Sequence, residues 1–372
     1  MKILIIAYPS LKKDPRPFRQ IKNLYKDYEL HTIGASKSGY EKVFFKLKKH
    51  KFFIEFFRVF LLKMGLYKFY YWDRYKRKIL KAVKKNNYDL IIVHEIRLLP
   101  LALKISNNSK IILDAHEYSP KNFDDSFLWR FFIKKYYTKL CKDNLPFVDK
   151  VITVSPGIVN AYKDNFKTDT VLITNACEYE ANIIPSKIDS NLIKIIHHGT
   201  VSSSRKLELL IEMMNYLDND KYQLNLMLVS SFYSKYYLNK LKRKAHNLNI
   251  IFLDPVERKD LIHFSNKFDI GIHFVPPTNF NLKYGLGNKF FEFIQSRLAI
   301  AIGPDIEMSS YVKKYNLGMI ADDWSAESIA KTISSTNIDQ LTFFKNQAHK
   351  YAKKLSSNNN DQLFKNIIDS YK

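Results

Sequence analysis

Several polar side chains stand where apolar runs of the sequence end, and their types define what chemistry is possible. In "YGLGNKFFEFIQSRLAIAIGP" (284–304), Gly285, Gly287, Asn288, Lys289 and Glu292 fall between two apolar runs. Asn288 can cap a helix "KFFEFIQSR", with Lys289 in its first turn. Exposed N–H groups, a lysine charge and a helix end together suit a diphosphate. Glu292 follows one turn after Asn288, and a carboxylate facing a buried position needs donors, which ribose hydroxyls would supply. The plainer reading is a capping asparagine, a surface lysine and an exposed glutamate. In "HHGTVSSSRKLELLIEMM" (197–214), Gly199 permits a tight turn and the small residues after it expose backbone N–H groups. A helix beginning near Arg205 or Lys206 would add its positive end to those cations, although ordinary helix caps look similar.

Two further clusters hold histidines and carboxylates: "DAHEYSP" with Asp114, His116 and Glu117, and "IIVHEIR" with His94 and Glu95. A third polar loop, "AYPSLKKDPRPFR", contains Asp14, Arg16 and Arg19. None shows a compact Cys/His spacing or H-E-x-x-H, and Mg²⁺ or Mn²⁺ would not choose histidine first, so no metal is expected. A satisfied structural role remains the alternative for His116. There is no G-x-G-x-x-G loop, which leaves a dinucleotide site unsupported.

The elements that must position these residues are short apolar strands alternating with helix-length segments. Strands are expected at 3–7, 89–94, 110–116, 150–155 and 170–175, with a helix ending near Lys26 after a loop holding Pro9, Pro15 and Pro17. After the polar segment "SKIDSN" (186–191) the rhythm restarts at 192–199, 223–230, 249–254, 269–275, 298–303 and 318–322. This is the pattern of parallel α/β sheets buried on both faces. Two doubly wound, Rossmann-like units are expected, because one sheet with this many strands would exceed the usual range. The expected limits are 1–183, 184–350 and a C-terminal helix, 351–372, crossing back to the first unit. "SSNNNDQ" (356–362) reads as a break between two C-terminal helices.

The chain has 372 residues, 46% of them hydrophobic, and 60 Lys+Arg against 36 Asp+Glu give a net charge of +24. Such a balance points to anionic partners and says little about fold. Residues 41–90 hold 15 Lys/Arg and 4 Asp/Glu, interleaved with Phe44, Phe56, Phe60, Tyr67, Tyr70 and Trp72 among other rings. A basic, aromatic, helix-compatible stretch suits an anionic membrane surface; its alternative is a helix packed on the first unit with a solvated lysine face. No nucleic-acid-binding motif accompanies the charge. Only Cys141 and Cys177 occur, which fits a reducing cytoplasm and structural thiols. "MKILIIAYPS" reads as a buried first strand rather than a signal peptide, and no apolar run reaches the length of a membrane span.

With "KKDPRPFRQ", "HEIRLLPLALKI", "KIILDAHEYSP", "DKVITVSPGI", "HHGTVSSSRKLELLIE" and "YGLGNKFFEFIQSRLAIAIG" in this order, the chain resembles the retaining, family-4-type nucleotide-sugar glycosyltransferases of the GT-B fold. The similarity is to the branch that builds bacterial surface polysaccharide such as capsule or lipopolysaccharide. The resemblance implies two Rossmann-like domains facing a cleft, the C-terminal one holding the nucleotide diphosphate and the N-terminal one most of the acceptor site. It implies that Arg205 and Lys289 hold the diphosphate, that Glu292 binds ribose hydroxyls, and that Gly199, Gly287 and Asn288 line the phosphates. His116 would stand near the donor sugar and reacting centre. Where the family has the first of two paired glutamates, this chain has Tyr284. The implied reaction moves a hexosyl or N-acetylhexosaminyl group from a UDP- or GDP-linked sugar to a glycan or lipid-linked acceptor, with no essential metal, at the inner face of the cell membrane. A nucleotide-sugar epimerase of similar architecture and a non-catalytic scaffold of a polysaccharide assembly are the competing readings.

Overall fold

The computed structural model describes residues 1–8, 11–12, 14–48 and 52–372, with backbone only at 52, 53 and 233. Pro9 and residues 49–51 of the basic segment lie outside the described residues. The chain divides into two units, one formed by 1–174, 279–281 and 361–372, the other by 175–278 and 282–360.

The N-terminal unit is built on seven parallel strands: β1 (Lys2–Ile6), β2 (Glu29–Gly34), β3 (Val43–Lys46), β4 (Leu90–His94), β5 (Lys110–His116), β6 (Lys150–Thr153) and β7 (Thr170–Leu172). Their order is β3-β2-β1-β4-β5-β6-β7. The order reverses between β1 and β4, and in such sheets ligands bind outside the carboxyl ends at that point. Ile3, Leu4, Ile5 and Ile6 are fully buried, which is why β1 reads as an unbroken apolar run rather than an alternating one. Phe364, Ile367 and Ile368 of the last helix, Ser357–Asp369, join the core beside Ile3 and Ile5.

Three features depart from the sequence pattern. β2 and β3 have no counterpart among its apolar runs. β2, "ELHTIG", carries Glu29, His31 and Thr32, which obscure its apolar pattern, and β3 is a four-residue edge strand left half-exposed. The basic segment 41–90 is therefore not helical throughout: it opens with β3 and continues as helices Phe52–Lys63, Tyr67–Tyr71 and Arg74–Val83. Likewise "SSNNNDQ" does not break the C-terminal helices but opens the last of them, the break falling just before it.

The C-terminal unit has six parallel strands, all six of those expected: β8 (Ile193–Thr200), β9 (Tyr222–Val229), β10 (Ile250–Leu253), β11 (Ile270–His273), β12 (Ala299–Ile302) and β13 (Gly318–Ile320). The order is β10-β9-β8-β11-β12-β13, reversing between β8 and β11. The helix Asn288–Gln295 lies against β11 because Gly271 has no side chain: a Cβ there would stand 2.4 Å from the Phe293 ring. Its Phe290, Phe291, Phe293 and Ile294 are buried in the core with Ile300 and Ile302. That packing fixes where Lys289 and Glu292 emerge. Among the described residues no helix is long and apolar enough to cross a membrane.

Candidate functional site

Each unit gathers polar side chains at the carboxyl ends of the strands flanking its reversal. In the C-terminal unit, β8 ends in "HHGT" and Gly199 takes φ +132°, a backbone that L side chains rarely adopt. The lysine fills the space a side chain would need, with the arginine beside it: a Cβ on Gly199 would meet Lys289 Cε at 2.5 Å and Nζ at 3.1 Å, and would lie in ordinary contact with Arg205 Nη1 at 3.6 Å. Two cations from elements 84 positions apart in the sequence thus converge on one turn. Arg205 is steadied by donating from Nη1 to the Thr200 carbonyl, 3.1 Å. Burial, and then the neighbouring Arg205, push the Lys289 ammonium down to about 7, against the pull of Glu292.

Glu292 is buried, 7% exposed, and burial raises its carboxyl above the usual range, opposed by Arg258 and Lys289. Arg258 Nη2 stands 3.5 Å from Glu292 Oε1, and His198 Nε2 lies 3.8 Å from Oε2. His198 is held neutral: burial first, then Lys289 and Arg258, bring it to about 3. His273, at the end of β11, is pushed well below its usual value by burial, Lys289 and Arg205. The site is rich in positive charge, with its imidazoles uncharged, and suits an anion.

The structure brings Gly199, Arg205, Lys289 and Glu292 together, a grouping that only the resemblance implied. Local details differ. Gly287, not Asn288, is the N-cap of the helix, and no side chain caps it. Asn288 is the first helical residue and is exposed, so it shares no buried face with Glu292. Gly287 has φ −76°, open to any residue, and a Cβ there would meet nothing within 4 Å. Arg205 does not open a helix. It closes a 3-10 turn, Ser203–Arg205, and after a left-handed Lys206 the helix begins at Glu208. Arg258, His198 and His273 were missed, since nothing in "DPVERKD" or in a histidine at a strand end distinguishes them from ordinary surface or core residues.

In the N-terminal unit, Asp114 is fully buried on β5 and accepts from Arg16 Nε at 3.0 and 2.7 Å and from Gln20 Nε2 at 2.6 Å. Arg16 Nη1 also donates to the Ile173 and Thr174 carbonyls, 2.9 and 3.3 Å. Burial works against ionisation of Asp114, but the Arg16 guanidinium outweighs it and holds the carboxyl well below the usual range. His94 Nδ1 and His116 Nε2 are 3.0 Å apart. Burial drives His94 down to about 3, so that ring stays neutral beside His116. The register of β5 against β6 shifts between Asp114 and His116. His116 and, one strand away, Glu95 take φ +57° and +66°. Non-glycine residues in that region cost about 1–3 kcal/mol each and persist where surroundings over-determine them.

His94, Asp114 and His116 bring ligand atoms within 4.8 Å of one another. A divalent ion does not fit this set: both carboxylate oxygens already accept from Arg16 or Gln20, and the guanidinium supplies the positive charge a metal would bring.

No family model matches the sequence, and no curated protein matches it. Solved structures are similar over the full length. The Anabaena protein HepE in complex with UDP and glucose superposes with a TM-score of 0.73 at 13% identity, covering 100% of both chains. Sucrose-phosphate synthase from Thermosynechococcus elongatus gives 0.73 at 12%, again covering 100% of both. The E. coli trehalose-6-phosphate structure bound with UDP-2-fluoro glucose gives 0.70 at 11%, covering 100% of this chain and 99% of that one. The fold is GT-B. In this fold the Gly199 turn and the helix Asn288–Gln295 stand at the carboxyl ends of β8 and β11, where a doubly wound sheet places its ligand.

Proposed function

We propose that this protein is a nucleotide-sugar glycosyltransferase, moving a hexosyl or N-acetylhexosaminyl group with retention to a hydroxyl of a lipid-linked glycan acceptor in surface-polysaccharide synthesis. The observation that carries the reading is the convergence of Arg205 and Lys289 on the Gly199 turn, beside the buried Glu292. A nucleoside diphosphate satisfies both features at once. Its phosphates meet two cations in a partly desolvated site, and its ribose hydroxyls donate to a carboxylate that burial otherwise disfavours. As the bond from sugar to diphosphate breaks, charge grows on the leaving oxygen. Arg205 and Lys289 act there, so they lower the barrier more than they tighten ground-state binding. We assign His116 a hydrogen bond to the sugar in transit. The uridine diphosphate held by two of the similar structures makes UDP the first nucleotide to test. The basic segment 41–90 is assigned to the anionic inner face of the cell membrane, where lipid-linked acceptors are found.

A donor-hydrolysis screen over UDP- and GDP-linked sugars, with UDP, GDP and CMP titrated by calorimetry, tests this reading. Turnover of one donor and binding of its nucleotide are expected; binding of none would leave a scaffold. Glu292→Gln is expected to weaken the bound nucleotide by about 10- to 100-fold, the loss of one charge-assisted hydrogen-bond site, with thermal unfolding little changed. Equal affinity in the variant would remove Glu292 from the ribose.

A further inference from the structure

The N-terminal unit carries a strip of aromatic rings that neither polar cluster uses. It joins two helices far apart in the sequence, Phe52–Lys63 and Phe127–Phe132. Phe56 and Phe60 have ring centroids 6.0 Å apart, Phe60 and Phe132 5.7 Å, Phe132 and Phe131 4.9 Å, and Phe131 and Phe127 6.0 Å. The rings therefore form one continuous row across both helices. All but Phe132 are exposed, from 47% for Phe131 to 68% for Phe127, and Phe57 and Leu128 beside them reach 69% and 65%. Only Trp129 of the second helix is buried. Leaving such side chains in water forgoes about 1.5–3 kcal/mol each, and an apolar patch of this kind marks an interaction surface.

The charges around the row identify its occupant. Lys63 Nζ lies 3.3 Å from the Phe131 ring centroid, and Lys68, Arg130, Lys134 and Lys135 are exposed nearby in the sequence. The acids in these segments are engaged within the unit. Glu55 accepts from Arg58 and the Tyr70 hydroxyl, both at 2.8 Å. Asp124 accepts from the Phe280 amide at 3.2 Å, and Asp125 from Asn279 at 3.3 Å. Rings framed by lysines, with the carboxylates turned to internal partners, match an anionic bilayer: phenylalanines enter the headgroup–acyl boundary while lysines reach the phosphates on their flexible stems.

We propose that the helix Phe127–Phe132 is the second half of a bilayer-insertion surface, completing the one begun by Phe52–Lys63, and that an anionic lipid membrane is its partner. This rests on the membrane reading of segment 41–90 and adds an anchor outside that segment. The geometry makes the anchor composite, so neither helix suffices alone.

The test is flotation of the full-length protein with phosphatidylcholine vesicles containing 30% phosphatidylglycerol (about one anionic lipid in three) and with phosphatidylcholine alone. The wild type is expected to float with the anionic vesicles, and a Phe127→Ser, Leu128→Ser, Phe131→Ser triple variant to lose binding by at least about tenfold. These side chains are exposed, so its melting should be unchanged; a Lys134→Gln, Lys135→Gln variant, which leaves the rings intact, is expected to bind more weakly and with less salt dependence. A triple variant that binds as the wild type overturns the role of this helix while the membrane reading stands. A wild type that floats with neither vesicle overturns both. Self-association of the wild type in sedimentation velocity, absent in the triple variant and without flotation, would assign the strip to a second copy of the chain and overturn the lipid assignment.

Discussion

Arg16→Met is expected to destabilise the N-terminal unit by about 3–5 kcal/mol, because it removes one partner of a buried ion pair and leaves the other uncompensated. Arg16 is 4% exposed and Asp114 fully buried. The guanidinium donates to both carboxylate oxygens and to the carbonyls of Ile173 and Thr174, so one side chain holds the first helix, β5 and the segment leaving β7. Arg16→Lys keeps the charge but not the planar fork, and an intermediate loss is expected. The pH dependence separates this from simple loss of packing. The folded carboxyl titrates below its unfolded value, so the pair's contribution is present above about pH 4 and is lost as pH falls through the folded pKa. The difference between wild type and Arg16→Met should therefore shrink on acidification. Two of the three tryptophans, Trp72 and Trp129, lie in this unit, and a Trp324→Phe background lets fluorescence-detected urea unfolding report on it selectively. An equal effect at pH 7 and at pH 3 would show that charge compensation is not what Arg16 supplies.

Lys289→Met is expected to cost about 10²–10³ in turnover, the scale on which single groups stabilising a developing charge contribute, with a smaller change in nucleotide affinity. The wild-type affinity should also depend on pH. The ammonium is brought down to about 7 by burial and by Arg205, so it is charged below that pH and neutral above it in the free protein. Diphosphate binding recharges it. Affinity is thus fully present below about pH 7 and falls as pH rises, by up to about tenfold per unit, with proton uptake visible in calorimetry as a dependence on buffer ionisation enthalpy. The same displacement makes the charged lysine a cost to folding below about pH 7, relieved between 7 and the ordinary lysine value of 10.5. Lys289→Arg should retain affinity and lose the pH dependence; a slope that survives in this variant would place the titrating group elsewhere. Gly199→Ala is expected to move the lysine, since a Cβ would stand 2.5 Å from its Cε on a backbone of φ +132°. It should reproduce part of the Lys289→Met phenotype at a stability cost of about 1–3 kcal/mol.

The segment "YGLGNKFFEFIQSR" shows how far local pattern reaches. Its helix, the lysine in the first turn and the glutamate on a buried surface were legible, because each follows from apolar spacing over a few residues. The cap differs: asparagine is the better capping residue in general, but the helix begins one residue earlier, with Gly287 as its N-cap. At Tyr284, where the resemblance implies a carboxylate, no sequence pattern says what replaces its contact.

All strands of the C-terminal sheet were readable, since parallel strands buried on both faces are continuous apolar runs. β2 and β3 do not read this way: one mixes Glu29, His31 and Thr32 into its apolar run, and the other is a short edge. By itself the sequence determined the strand runs, the Gly199 turn and the basic, ring-rich character of 41–90. Only the tertiary structure decided that Arg16 meets Asp114 98 positions away, that Arg258 stands over Glu292, and that Phe60 continues into Phe132. Those pairings depend on strand order and helix packing, which bring together residues whose local sequences carry no sign of one another.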